Sequence, residues 1–173
     1  MDSIALKDLI RDVPDFPQPG ISYKDITTLL KNAEGLVVAT QAMLAPFAQE
    51  EFELIVGIES RGFILASPMA IDRGCGFVPV RKPGKLPAET LRQEYDLEYG
   101  SDAVEIHTDA VGEGQKVLVV DDVLATGGTL VATCQLLERL KVEIVGVSVL
   151  AELGFLRGRA LLNEYRLESV IVY

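Results

Sequence analysis

Residues 117–130 read Val-Leu-Val-Val-Asp-Asp-Val-Leu-Ala-Thr-Gly-Gly-Thr-Leu, and the fold turns on how that run is parsed. Val117, Leu118, Val119 and Val120 are unbroken apolar residues, three of the four β-branched, the pattern of an inner parallel strand covered on both faces. Asp121 and Asp122 follow at once. Next come Ala125, Thr126, Gly127, Gly128 and Thr129, where two glycines admit backbone geometry closed to other residues and leave successive N–H groups free to converge on an anion. From 130 to 140 apolar residues recur at helical spacing. The glycine turn therefore opens onto a helix N-terminus, where the macrodipole and unpaired amides favour a phosphate.

Strand, acidic pair, Thr/Gly turn and helix, in that order, set hydroxyl-accepting carboxylates beside an anion seat. A sugar phosphate has the matching layout: the carboxylates accept from a ribose diol while Thr126, Thr129 and the intervening amides hold the 5′-phosphate. Neighbouring strand residues point to opposite faces, so Asp121 and Asp122 both reach one diol only if the strand has ended before them. The plainer reading is a strand-to-helix turn with an N-capping threonine and acidic residues near the helix N-terminus.

The whole chain has 173 residues, the length of one domain with one large core. Its 49% apolar content and mean hydropathy of +0.26 suit a sheet covered on both sides. No apolar run is long enough to span a membrane, and the N-terminus shows neither a basic nor an apolar leader segment, so a cytoplasmic location is the expectation. Two cysteines, Cys75 and Cys134, and one histidine, His107, cannot make a zinc site of the usual Cys/His kind. Both cysteines read as core residues, and the 104–109 stretch around His107 as a strand facing solvent on one side, a poor place for a Cys–His nucleophilic pair. A net charge of −10 argues against nonspecific nucleic-acid binding.

In chain order, residues 3–10 suit a short amphipathic helix capped by Ser3. Residues 13–20 hold three prolines and a glycine, which excludes helix and central strand and leaves a stiff extended connection or small hood. Residues 33–49 have helical spacing, and 54–58 read as a second strand buried on both faces. After it, Glu59, Ser60, Arg61 and Gly62 open into a helix over 64–72, a second strand-turn-helix anion seat with a guanidinium at its mouth. Residues 77–80 read as a short strand before Arg81-Lys82-Pro83-Gly84-Lys85, where three cations project from a turn in an otherwise acidic chain. Alternation across 89–109 suggests a two-stranded flap, the usual form of a lid. A strand at 142–150, a short helix at 156–162 and a strand at 169–173 complete the chain, with neither common glycine-rich nucleotide fingerprint present.

Residues 117–130 resemble the phosphoribosyl pyrophosphate signature of the type I phosphoribosyltransferases, and matches from Pro19 to Glu152 resemble the adenine-using branch. The resemblance implies an α/β fold over a single domain, 1–173, with a mostly parallel central sheet flanked by helices, a hood at about 13–28 and a flexible β-flap at about 82–108. It implies transfer of phosphoribose to adenine, giving AMP and pyrophosphate in purine salvage. On the same ground Asp121, Asp122, Ala125, Thr126, Gly127, Gly128 and Thr129 would hold ribose 5-phosphate. Ser60, Arg61, Arg81 and Lys85 would hold pyrophosphate, and a cis peptide is expected between Glu59 and Ser60. Ser22, Tyr23, Lys24 and Leu124 would meet the base, with Tyr23 at the stacking position and Lys24 where arginine is common. Leu97-Glu98-Tyr99-Gly100 matches the family's motif that brings a carboxylate to N7, so Glu98 acts either as a general acid or as a group that orients the ring. Mg²⁺ is expected as cofactor, held by the substrate without a direct protein ligand, and the assembly is expected to be a homodimer with no nucleic-acid or membrane partner. Two other readings remain: transfer to hypoxanthine, guanine, xanthine or orotate, and a non-catalytic ligand-sensing regulator. The regulator usually adds a basic DNA-binding segment, and the residues before Arg11 are few and acidic.

Overall fold

A computed structural model describes residues 3–96 and 100–173. In chain order the elements are α1 (Ser3–Asp8), β1 (Arg11–Pro14), β2 (Ser22–Asp25), α2 (Thr27–Leu30), α3 (Ala33–Leu44), β3 (Leu54–Ile58), α4 (Arg61–Arg73), β4 (Gly76–Val80), β5 (Thr90–Asp96), β6 (Ser101–His107), β7 (Lys116–Leu124), α5 (Gly128–Arg139), β8 (Glu143–Glu152) and β9 (Leu167–Val172). Single 3-10 turns occupy Ala45–Phe47, Gly154–Leu156 and Gly158–Leu162.

The run at 117–120 is the middle of the molecule. Strand β7 is third in a five-stranded sheet of order β4-β3-β7-β8-β9, parallel to both neighbours, and Val117, Leu118, Val119 and Val120 are all fully buried. Its side chains alternate between two cores. Val117 and Val119 pack with Leu130, Leu136 and Leu137 of α5, while Leu118 and Val120 pack with Met43 of α3 and Leu65 and Met69 of α4. Burial on both faces is what an unbroken aliphatic run achieves, and each such side chain contributes roughly 1.5–3 kcal/mol.

Pro79 lies in β4, an edge strand, where the missing N–H interrupts no interior ladder. Helix α4 passes directly beneath the sheet because Gly57 has no side chain; a Cβ there would meet the Phe77 ring at 2.7 Å and Ala66 at 2.9 Å. Two small antiparallel sheets flank the main one: β1 with β2, and β5 with β6.

Several expectations are corrected. The helix foreseen over 33–49 stops at Leu44 and tightens into the 3-10 turn Ala45–Phe47, because Pro46 cannot continue it. The helix foreseen at 64–72 starts earlier, at Arg61, and keeps Pro68 inside. The connection at 13–20 is not merely extended: its first residues pair with 22–25 as a hairpin, Val13 opposite Tyr23. The short helix at 156–162 is two 3-10 turns separated by Arg157 in a left-handed conformation, φ 55°. The 104–109 stretch does not face solvent on one side, since Ala103, Val104, Glu105 and Ile106 are all buried between α5 and the bridge from Arg81 to Glu105. Of the two cysteines only Cys134 is buried, and burial pushes its thiol up to about 12; Cys75 is half-exposed.

Candidate active site

The site lies at the carboxyl ends of β3 and β7, where an open parallel sheet places its ligands. Strand β3 pairs with β7 only as far as Val120, so beyond that residue one flank of β7 is free. Contrary to the expectation that the strand must already have ended, β7 continues through both carboxylates to Leu124. The freed flank lets Asp121 and Asp122 border one cavity of about 440 Å³, together with Tyr23, Glu59, Ser60, Arg61, Lys82, Val123 and Thr129. Asp121 also borders a smaller cavity of about 70 Å³, walled by residues 123–130 of the glycine loop and the first turn of α5.

The acidic pair is buried, Asp121 to 9% and Asp122 to 4% exposure. Burial raises the Asp121 carboxyl well above its ordinary value, and the neighbouring Asp122 charge adds to the rise. Burial likewise raises Asp122, against the opposing Arg61 charge. Arg61 Nε lies 2.8 Å from Asp122 Oδ2, yet that oxygen accepts no hydrogen bond from any described residue. The oxygen has almost no accessible surface, so the charge of Arg61 is what compensates it. Asp121 Oδ1 accepts the Asp122 N–H at 2.9 Å, and Gly62 packs so closely that a Cβ there would lie 2.9 Å from the same oxygen.

The loop after the pair has the geometry of an anion seat. Gly127 sits at φ 91°, a conformation that favours glycine, and is the N-cap of α5. Among the described residues nothing accepts the backbone N–H groups of Thr126, Gly127, Gly128 or Thr129. Thr126 is exposed, and the Thr129 hydroxyl donates to Tyr95 Oη at 3.0 Å. Leu124 is fully buried in the core, its carbonyl accepting the Leu153 N–H at 2.9 Å.

On the opposite wall the Glu59–Ser60 peptide is cis, and Ser60 is exposed just before α4. Arg61 bridges the cavity, its Nη1 donating to the Tyr23 hydroxyl and its guanidinium 5.1 Å from the Tyr23 ring. Phe16 packs edge-on against that ring at 5.2 Å. Ser22 is exposed on the hairpin. Lys24 is turned away from the cavity: it pairs with Asp12 and lies 4.1 Å over the Tyr173 ring, so it ties the hairpin to β9's end.

The basic loop divides its cations in a way the sequence did not suggest. Arg81 forks onto Glu59, Nε to Oε2 at 3.1 Å and Nη2 to Oε1 at 3.3 Å, and donates to the Lys85 carbonyl; Lys85 itself is exposed. Burial would raise Glu59, but the Lys82 N–H and Arg81 outweigh it and hold its carboxyl below the ordinary value. Lys82, the cation that borders the cavity, donates to Tyr95 Oη at 2.8 Å and pairs with Asp102. Sequence reading passed over Lys82, Glu59 and Tyr95; only the basic character of the loop pointed to the first. Glu98 lies outside the described residues.

The strand end thus sets two buried carboxylates beside a loop whose amides have no acceptor among the described residues. The family description "Phosphoribosyl transferase domain" matches residues 20–170. An adenine phosphoribosyltransferase of Desulfitobacterium hafniense is 50% identical over all 173 residues, 100% of each chain. The crystal structure of adenine phosphoribosyltransferase from Rhodothermus marinus superposes with a TM-score of 0.95 at 50% identity, covering 99% of this chain and 98% of that one. That from Saccharomyces cerevisiae, complexed with D-2,5-dideoxy-2,5-imino-altritol 1,6-bisphosphate and adenine, gives 0.92 at 37% identity and 97% coverage of each. The chain belongs to the phosphoribosyltransferase family, on the branch of the adenine phosphoribosyltransferases.

Proposed function

We propose that this chain transfers the 5-phosphoribosyl group from phosphoribosyl pyrophosphate to adenine, giving AMP and pyrophosphate. The observation that carries this reading is the meeting of Asp121, Asp122, Arg61, Lys82 and Tyr23 around one cavity that shares Asp121, Val123 and Thr129 with the cavity of the glycine loop. In the reading, the carboxylates accept the ribose hydroxyls, and the loop amides with Thr126 and Thr129 hold the 5′-phosphate. Arg61 and Lys82 face pyrophosphate and the exposed Lys85 extends the basic surface, while Arg81, held by Glu59, orders the loop. Tyr23, which borders the cavity, offers its ring to the base.

As the C1–O bond breaks, the ribose gains oxocarbenium character and pyrophosphate departs with its charge; the adenine ring nitrogen then bonds to C1 and loses its proton. The two buried carboxylates lie where positive charge develops on the sugar, and the cationic wall lies where negative charge develops. Glu98 either donates a proton toward N7 or orients the ring. Asp122 meets the ribose hydroxyls as a carboxylate paired with Arg61, and Asp121 as a carboxyl raised by burial. Mg²⁺ bound with the substrate supplies neutralisation of the pyrophosphate charge.

The protein acts in this reading as a cytoplasmic homodimer. Ile64 and Ile71, at 46% and 82% exposure, lie two turns apart on α4 and supply an apolar stripe for a second copy. No described helix is long and apolar enough to cross a membrane.

Base competition tests the reaction. With Mg²⁺ and phosphoribosyl pyrophosphate, the protein is expected to form AMP from adenine and to use guanine, hypoxanthine, xanthine or orotate at about a hundredth of that rate or less. Comparable use of another base overturns the substrate assignment. Asp122→Asn is expected to lower kcat/KM about tenfold or more, the worth of hydrogen bonds to a charged acceptor; undiminished turnover overturns the role given to the acidic pair.

A further inference from the structure

Packed on the glycine loop lies a segment that borders neither cavity and that the reaction scheme does not use. Directly after Glu152 the Leu153 N–H is tied to the Leu124 carbonyl at 2.9 Å, so the chain leaves β8 alongside the point where β7 enters the loop. It then makes the two 3-10 turns, with Arg157 left-handed between them, and brings buried Gly158 against the loop's backbone. The fit is close. A Cβ on Gly158 would lie 2.2 Å from the Ala125 carbonyl oxygen and 2.9 Å from the Gly127 nitrogen, and one on Gly127 would lie 2.7 Å from the Gly158 carbonyl oxygen. Backbone thus rests on backbone with no side chain between, at the loop whose amides have no acceptor among the described residues.

The next residue holds this contact in place. Arg159 Nε donates to Glu152 Oε1 at 3.0 Å, Nη2 donates to Oε2 at 2.6 Å and to Ser169 Oγ at 2.9 Å, and Nη1 donates to the Leu167 carbonyl at 2.9 Å. Ser169 closes the circuit by donating to Glu152 Oε2 at 2.6 Å. The fork therefore joins the 158–162 turn to the ends of β8 and β9, and Glu152 is almost fully buried in it. A bidentate guanidinium–carboxylate pair fixes orientation as well as distance.

We propose that Arg159, through its fork on Glu152, is a positioning residue for phosphate binding: it presses Gly158 against the glycine loop and so presets the loop amides that receive the 5′-phosphate. The proposal rests on the reading of that loop as the phosphate seat. Neither Arg159 nor Glu152 touches the ligand. Their effect is to remove the ordering of the loop from the cost of binding, which is the way preorganisation raises affinity.

Calorimetric titration of the full-length protein with AMP, with adenosine and with adenine separates this role from a general loss of structure. Wild type is expected to bind AMP more tightly than adenosine; if it does not, the phosphate-seat reading itself falls. Arg159→Gln is expected to weaken AMP about tenfold, as loss of charge-assisted hydrogen bonds should, while adenosine and adenine bind as before. Arg159→Lys should recover part of the loss, and Glu152→Gln should reproduce it. In turnover the KM for phosphoribosyl pyrophosphate rises while kcat at saturation and the KM for adenine stay close to wild type. Wild-type-like AMP affinity in Arg159→Gln, or equal weakening of AMP, adenosine and adenine, overturns the positioning role while leaving the loop's assignment intact. Gly158→Ala probes the contact directly and is expected to show the same selective loss; AMP binding unchanged in a folded Gly158→Ala variant also overturns it.

Discussion

Asp121 carries a cost in the empty protein that the ligand would relieve. Its carboxyl is buried beside a second carboxylate, and both effects raise it above its ordinary value. A raised native value means that the folded state holds its proton more readily than the unfolded chain. Stability from this group is therefore fully present below the unfolded value, about 4, and is lost as pH rises through the folded value. Asparagine keeps the Oδ1 that accepts the Asp122 N–H and removes the charge. Asp121→Asn is expected to raise the thermal midpoint at pH 7, with the difference from wild type shrinking toward about pH 4. Scanning calorimetry of both proteins across that range checks it; a variant no more stable at pH 7 than wild type contradicts it. Such stability withheld at a binding site is the usual signature of a group kept for function.

At the scale of elements, Gly62, in the first turn of α4, is what lets the helix approach β7. A Cβ on Gly62 would meet Asp121 Oδ1 at 2.9 Å and the Val120 carbonyl at 3.1 Å, and the second of these is backbone that cannot swing away. Gly62→Ala is expected to destabilise the fold by about 1–3 kcal/mol, as overpacking does, and to displace Asp121 enough to weaken AMP. Urea unfolding and AMP titration read the two effects. The elements themselves were legible where the chain is buried on both faces: 54–58, aliphatic apart from Gly57, and the unbroken 117–120 form β3 and the first half of β7. Elements settled by distant partners were not. The β1–β2 hairpin depends on backbone pairing and on clips such as Arg11 to Asp25, whose carboxyl that guanidinium and Thr27 hold down to about 2. The exchange of Arg81 for Lys82 at the cavity follows from Glu59, which reaches Arg81 from the end of another strand. Local composition reports that cations are present and cannot say which one a remote carboxylate will capture.

At the scale of the molecule, the sheet serves as a rigid base and the site is assembled from what leaves its carboxyl edge. The hairpin sends Tyr23 to the cavity, the basic loop Lys82 and the start of α5 Thr129, and charged links brace the assembly: Arg61 to Asp122, Lys82 to Asp102 and, in the segment packed on the glycine loop, Arg159 to Glu152. Asp102 and Glu152 are held below their ordinary values by these partners, Glu59 by the Lys82 N–H and Arg81, and Asp25 by Arg11 and Thr27. For depressed carboxyls the sign reverses: their stability is present above about pH 4 and is lost as pH falls through the lowered values, so the acid limb of unfolding should report these links. The account as a whole depends on the acidic pair and the glycine loop gripping the same ligand. Titration of wild type and of Asp121→Asn/Asp122→Asn with AMP and with its 2′,3′-dideoxy analogue measures that directly. Wild type is expected to prefer AMP by about tenfold or more, the worth of hydroxyl hydrogen bonds to carboxylates, and the double variant to bind both ligands alike. A preference for AMP that survives loss of both carboxylates would contradict it.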